Sequence, residues 1–140
     1  MITIRTTHEI ELLREAGRIV AKTHQYLAQF IKPGITTKQL DKLAEDFIIS
    51  CGAKPSFKGL YGFKGSICIS LNDMVIHGIP DDTILKEGDL VKLDIGACKD
   101  GYHGDSAWTY KVGEVSKEAE YLMQVTHDAL FAGLAQAKPG

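Results

Sequence analysis

The spacing of apolar residues changes several times along the chain, and each change predicts an element. From Thr7 to Phe30, the residues Ile10, Leu13, Gly17, Val20 and Leu27 recur at helical spacing and mark a buried stripe. His24 lies on the same stripe, where a packed or hydrogen-bonded histidine is the ordinary outcome and a ligand the rarer one. Thr6 followed by Glu9 forms a capping-box signature for the start of this helix, and Lys32-Pro33-Gly34 stops it. A second helix begins at Thr36-Thr37 with Leu40, Leu43, Ala44, Phe47 and Ile48 apolar, and Gly52 is its expected C′ residue. Helical spacing then disappears. The run PSFKGLYGFKG is too rich in glycine for a helix and reads as a loop entering a short strand over Ser66–Ser70. Its Phe57, Tyr61 and Phe63 either pack the loop or wall a pocket, with packing the default for each. Asn72-Asp73 predicts a turn and Met74–Ile76 a further short strand, ended by His77, Gly78 and Pro80.

Alternation with period two takes over between Asp89 and Tyr110. Asp100-Gly101 between two alternating runs is a strong hairpin signal, because both turn positions take positive φ. With these as the loop, Lys99 pairs with Tyr102, Cys98 with His103, Gly96 with Asp105 and Asp94 with Ala107. Directly opposed residues share a face, so Asp94, Gly96, Asp105 and Ala107 point the same way. The two aspartates become diagonal neighbours, with Cα atoms about 7–8 Å apart. Like charges placed this way repel, and aspartate forms strands poorly. A divalent cation would offset that repulsion. The plainer alternatives are an aspartate solvated at a sheet edge, or a bulge that separates the two faces. His77, at a strand end before a Gly-x-Pro turn, is most simply a histidine bonded to backbone, and otherwise a residue that meets a ligand.

Composition excludes some function classes. A length of 140 residues suits one domain with a real core. A net charge of −2 provides no drive towards nucleic acid or membrane, and no apolar run reaches membrane-span length. The charged N-terminal stretch lacks a signal-peptide core, which predicts a cytoplasmic protein. Cys51, Cys68 and Cys98 are odd in number with no CxxC spacing, and are expected as reduced, half-buried residues.

Two runs considered together carry a family resemblance. SICISLNDMVIHGIP followed by GDLVKLDIGACKDGYHGDSAWTY resembles the type I methionine aminopeptidases, as does the opening EIELLREAGRIVA with its later KPG. The most specific parts are the N-x4-HGIP run and the D-x10-D spacing of Asp94 and Asp105. The resemblance implies an α/β (α+β) architecture: the N-terminal half of a pita-bread fold, an antiparallel sheet covered by helices. It implies two divalent metal ions (cobalt, manganese, iron or zinc) held by two Asp, one His and two Glu, with Asp94 and Asp105 matching the two Asp. His77 matches a catalytic, substrate-contacting histidine, and Phe63 and Cys68 match positions lining the methionine pocket. The implied substrate is the N-terminal Met of nascent polypeptides. The family often has Pro near Lys64, and some members have Cys where this chain has Ile76; both departures concern the pocket rim. His103 faces the metal side in the proposed register without a matching ligand role.

The remaining ligands have no counterpart here. Glu114, Glu118, Glu120 and His127 follow Asp105, yet none lies in the family's ligand contexts. Glu118, Glu120 and His127 read as the solvated face of a helix from about Lys117 to Lys138. Leu27-Ala28-Gln29 before Lys32-Pro33-Gly34 is echoed by Leu134-Ala135-Gln136 before Lys138-Pro139-Gly140. That echo fits the internal pseudo-symmetry of the implied fold. Residues 1–140 are therefore expected to form a single partial catalytic domain: the first pseudo-symmetric half plus the first helix of the second, with the C-terminal half missing. Two other readings remain: a non-catalytic binding module of the same fold, and a proline-directed aminopeptidase. The compact HGIP run and the absence of an extra N-terminal domain argue against the second.

Overall fold

The computed structural model describes residues 2–140. Helix α1 spans Thr7–Ala28 and opens on the expected box: the Glu9 N–H donates to Thr6 Oγ1 (3.3 Å), and the Thr6 N–H donates to Glu9 Oε2 (2.7 Å). It ends four residues before Lys32, so the KPG run lies beyond a turn rather than at the last helical residue. Ile10, expected on the buried stripe, is 44% exposed, whereas Ala16, Ile19, Val20, Thr23, His24 and Leu27 form the buried face. Helix α2 spans Thr37–Ser50, is capped by Thr36 and Gln39, and is followed by Gly52 at φ 68. A stacked pair, Tyr26 and Phe47 at 4.6 Å between ring centroids, joins the two helices.

The sheet has four strands: β1 (Lys54–Pro55), β2 (Cys68–Leu71), β3 (Leu90–Lys99) and β4 (Tyr102–Lys111). All pairings are antiparallel, with β3 between β4 on one side and both β1 and β2 on the other. The β3–β4 register is the one expected, from Lys99↔Tyr102 through Gly96↔Asp105 and Asp94↔Ala107 to Leu90↔Lys111. Asp100 and Gly101 take φ 50 and 83, as a two-residue turn of this kind requires.

Alternation divides β3 between two environments. Val91, Leu93, Ile95 and Ala97 are fully buried with Ile19, Val20, Leu27, Leu40 and Ile48 in the core under the helices. Gly104, opposite Ala97, is where α1 comes closest: a Cβ there would lie 2.6 Å from the Ala16 carbonyl carbon and the Gly17 nitrogen. Asp94 and Gly96 face away from the helices. Among the described residues, no strand pairs with the outer edge of β4.

Several expectations are corrected. Met74–Ile76 is not a strand. Asn72 (φ 49) and His77 (φ 59) flank the segment in left-handed conformation, so the chain turns at both ends and leaves Met74, Val75 and Ile76 exposed. The strand expected over Ser66–Ser70 runs over Cys68–Leu71, because its ladder partners on β3 are Asp94 to Val91. The last helix, α3, spans Lys117–Leu134 and stops short of Lys138. None of its residues is buried; Glu118, Glu120 and His127 are exposed as expected, and so are Tyr121, Leu122, Val125, Leu130, Phe131 and Leu134.

Candidate functional site

The outer face of the hairpin is roofed by the glycine-rich loop. The Ser56 N–H donates to the Gly96 carbonyl (2.9 Å), which ties the loop to β3. The Phe57 ring then packs against Gly96, where a Cβ would come within 2.6 Å of it. Gly59 and Gly62 at φ 83 and 82, with Tyr61 also left-handed at φ 49, turn the chain tightly over Leu60–Gly62 and leave Leu60 and Tyr61 exposed at the cavity rim. Lys58 pairs with Glu45 of α2, anchoring the loop from outside. Asp41 of α2 accepts the N–H groups of Ser66 (2.7 Å) and Ile67 (2.9 Å), fixing the entry to β2. Burial raises the Asp41 carboxyl above its ordinary range, against the pull of those two bonds.

Beneath this roof is a cavity of about 270 Å³. Asp94 and Asp105 form its floor, Cys68 and His77 one side, and Phe57, Leu60, Tyr61 and Phe63 the apolar wall. All five residues singled out from the sequence (Phe63, Cys68, His77, Asp94 and Asp105) thus line one space. Asp94 and Asp105 share the face that the hairpin parity required. Burial raises the Asp94 carboxyl, and the neighbouring Asp105 carboxylate raises it further; nearby His77 partly opposes both. Cys68 sits directly opposite Asp94 in the β2–β3 ladder. Burial, then the two carboxylates, push its thiol up to about 11, so it remains protonated and serves as a small apolar surface. No disulfide forms: all three cysteines are free.

The other histidines lie outside the cavity lining. His103 projects on the same side as Asp105 but is held by Ser56 Oγ at 2.9 Å. His24 is the packed residue its stripe suggested: Nε2 lies 3.1 Å from the Ser106 carbonyl and Nδ1 3.1 Å from Tyr110 Oη. With Nε2–H donating to that carbonyl, Nδ1 is left as an acceptor, and the one Tyr110 hydroxyl proton is divided between Nδ1 and the His24 carbonyl, 3.3 Å away. The sequence pattern does not single out Leu60, and for Phe57 and Tyr61 it favours packing. The spacing of Gly59 and Gly62 around Leu60 and Tyr61 was the available signal. Among the described residues, no cluster of three or more His, Cys, Asp or Glu side chains could hold a metal ion.

Residues 11–140 match the model of metallopeptidase family M24. The chain belongs to family M24. It is 56% identical over 140 residues to methionine aminopeptidase 1 of Bacillus subtilis, covering all of this chain and 56% of that protein. The methionine aminopeptidase of Clostridium perfringens is 49% identical over 137 residues, covering 98% of this chain and 55% of that one. Among solved structures, the methionine aminopeptidase of Thermotoga maritima superposes with a TM-score of 0.97 at 38% identity, covering all of this chain and 57% of that one. The M24 chain described here therefore spans about half the length of the relatives it matches, and has the fold of the N-terminal part of a pita-bread enzyme. Divalent metal ions belong to this metallopeptidase family. The M24 carboxylate pair fits such ions in part. Two adjoining anionic oxygen donors, already in mutual repulsion, are the ligand type hard and borderline cations take. No helix among the described residues is long and apolar enough to cross a membrane.

Proposed function

We propose that this chain is the N-terminal portion of a methionine aminopeptidase, acting on the N-terminal Met of nascent polypeptides in the cytoplasm. The observation that carries the reading is the single cavity gathering Asp94, Asp105, His77, Phe63 and Cys68. Residues 1–140 are then one partial catalytic domain, the first half of the fold with the first helix of the second. Asp94 and Asp105 are two of the ligands to a pair of divalent ions, with the remaining ligands in the C-terminal half. When bound, such ions polarise a peptide carbonyl and acidify water. The chain's own residues do the rest. Phe63 and Cys68 seat an unbranched thioether side chain against aromatic and thiol surface, which suits methionine. Phe57 and Leu60 exclude water from one side of that seat. His77, open to the cavity, offers an imidazole N–H to the scissile amide or to oxygen that gains charge as the bond is attacked.

The test is an assay of the purified chain on a Met-Ala-Ser peptide with cobalt or manganese, before and after adding a separately expressed second half. Two carboxylates are too few for a hydrolytic site, since catalytic ions generally need about three protein ligands each. The chain alone is expected to be inactive, and turnover is expected on complementation. Full turnover by the chain alone would refute the ligand assignment. Inactivity after complementation, with binding of the peptide retained, would favour a binding module. Preference for an Xaa-Pro peptide would favour the proline-directed alternative.

A further inference from the structure

Ser70 lies two residues along β2 from Cys68, on the same side of the strand, and is 2% exposed. Its Oγ accepts the Gly78 N–H at 3.0 Å. The adjacent Ile69 N–H donates to the Gly78 carbonyl, also at 3.0 Å. Both polar backbone atoms of Gly78 are thus held by consecutive residues of β2. A Cβ on Gly78 would collide with the Ile69 carbonyl, so only glycine permits this approach. The residue just before it, His77, takes φ 59. Left-handed backbone is unfavourable for a residue with a Cβ and persists where the surroundings over-determine it. The His77 side chain makes no hydrogen bond of its own among the described residues, so its aim into the cavity depends on its backbone.

We propose that Ser70 is a positioning residue for His77. Its hydroxyl oxygen clamps the Gly78 N–H, which holds the His77–Gly78 peptide in the one orientation that turns the imidazole towards Asp94 and Asp105. Ser70 would touch neither substrate nor metal. Its functional meaning rests on the reading of His77 as a substrate contact, whereas the clamp itself does not.

The clamp is tested by NMR on this chain as wild type, Ser70→Ala and Ser70→Thr. Loss of one buried hydrogen bond should speed amide exchange at Gly78 by about tenfold or more in Ser70→Ala, while Leu93 and Ile95 amides in the core keep their protection. Backbone couplings should show His77 leaving left-handed φ, and contacts from its ring to the cavity wall should weaken. Ser70→Thr, which keeps the oxygen, should restore all three signals. Unchanged Gly78 exchange, or a His77 φ unaffected by the alanine, would overturn the proposal. Parallel loss of protection at Leu93 and Ile95 would assign Ser70 to general stability and overturn it too. If the clamp behaves as stated but His77→Ala has no effect on turnover in the complemented enzyme, the functional reading of His77 fails and the clamp stands.

Discussion

Replacing Asp94 by Asn should stabilise the metal-free chain. Asp94 is half-buried with Asp105 diagonal to it, and nothing in the hydrogen-bond pattern of the described residues compensates the pair. For scale, two unit charges about 4 Å apart at an effective dielectric of about 20 repel by roughly 4 kcal/mol. Asp105 is exposed and the cavity is open, so salt and solvent reduce this to about 1 kcal/mol at physiological ionic strength. Asn removes the repulsion with nearly the same volume. For a chain of 140 residues, a gain of that size raises Tm by about 3–5 °C. Urea and thermal unfolding in EDTA would measure it. The same two proteins in manganese should reverse in order. Wild type gains about 1.4 kcal/mol at ten times its Kd for the ion, and the Asn variant, with its affinity cut by more than about tenfold, gains under about 0.4 kcal/mol. An Asn variant less stable than wild type in EDTA would refute the reasoning, since the carboxylate would then make favourable contacts that outweigh repulsion. Equal stabilisation of both by manganese would place the ion elsewhere.

Two glycines on opposite faces of the hairpin should respond differently to alanine. Gly96→Ala drives a methyl into the movable Phe57 ring, at 2.6 Å, and should cost about 1–2 kcal/mol in urea unfolding while displacing the cavity roof. Gly104→Ala meets the α1 backbone at 2.6 Å, which cannot swing aside, and should cost about 3 kcal/mol or more. The reverse ranking would mean that α1 yields more easily than the loop. His24 has its pKa lowered by burial, against the Ser106 carbonyl bond that favours the charged form. Its folded pKa thus lies below the unfolded value of about 6.5, so the unfolded chain binds more protons between the two. Stability should fall as pH drops below about 6.5, and His24→Gln should flatten that part of the pH–stability profile.

Much of this site could be read from the chain because it depends on short-range rules. Asp100-Gly101 fixes a turn, the turn fixes parity, and parity brings Asp94 and Asp105 to one face. The first helix announced itself through the Thr6–Glu9 cap and the second through its Thr36-Thr37 start, whose capping partner Gln39 emerges only in the structure. What escaped depends on distant partners. β1 exists because Lys54 and Pro55 meet Cys98 and Ala97, more than forty residues later. Met74–Ile76 has strand-like residues, but the neighbouring β2 edge is taken by β3 and by Gly78, and left-handed turns at Asn72 and His77 prevent extension. The assignment of His77, Phe63 and Cys68 came from family resemblance. Their convergence needs β2 beside β3 and the roof over both, which no local pattern encodes.

The turn at Asp100-Gly101 also bears on the order of events as the chain folds. Asp94 and Asp105 are joined by a loop of about ten residues, and hairpins of this kind close in about 1–10 μs. Docking of α1 at Gly104 joins residues almost ninety positions apart, and Cys68 reaches Asp94 across more than twenty. Loop entropy makes those longer closures slower. The hairpin that carries both acids can therefore form while the helix layer is still separate. Substitutions at Asp100 or Gly101 would slow folding, whereas Gly104 substitutions would chiefly hasten unfolding. The two carboxylates would meet early, in a nascent hairpin still bathed in solvent, where water screens their repulsion best, and the roof would close over them afterwards.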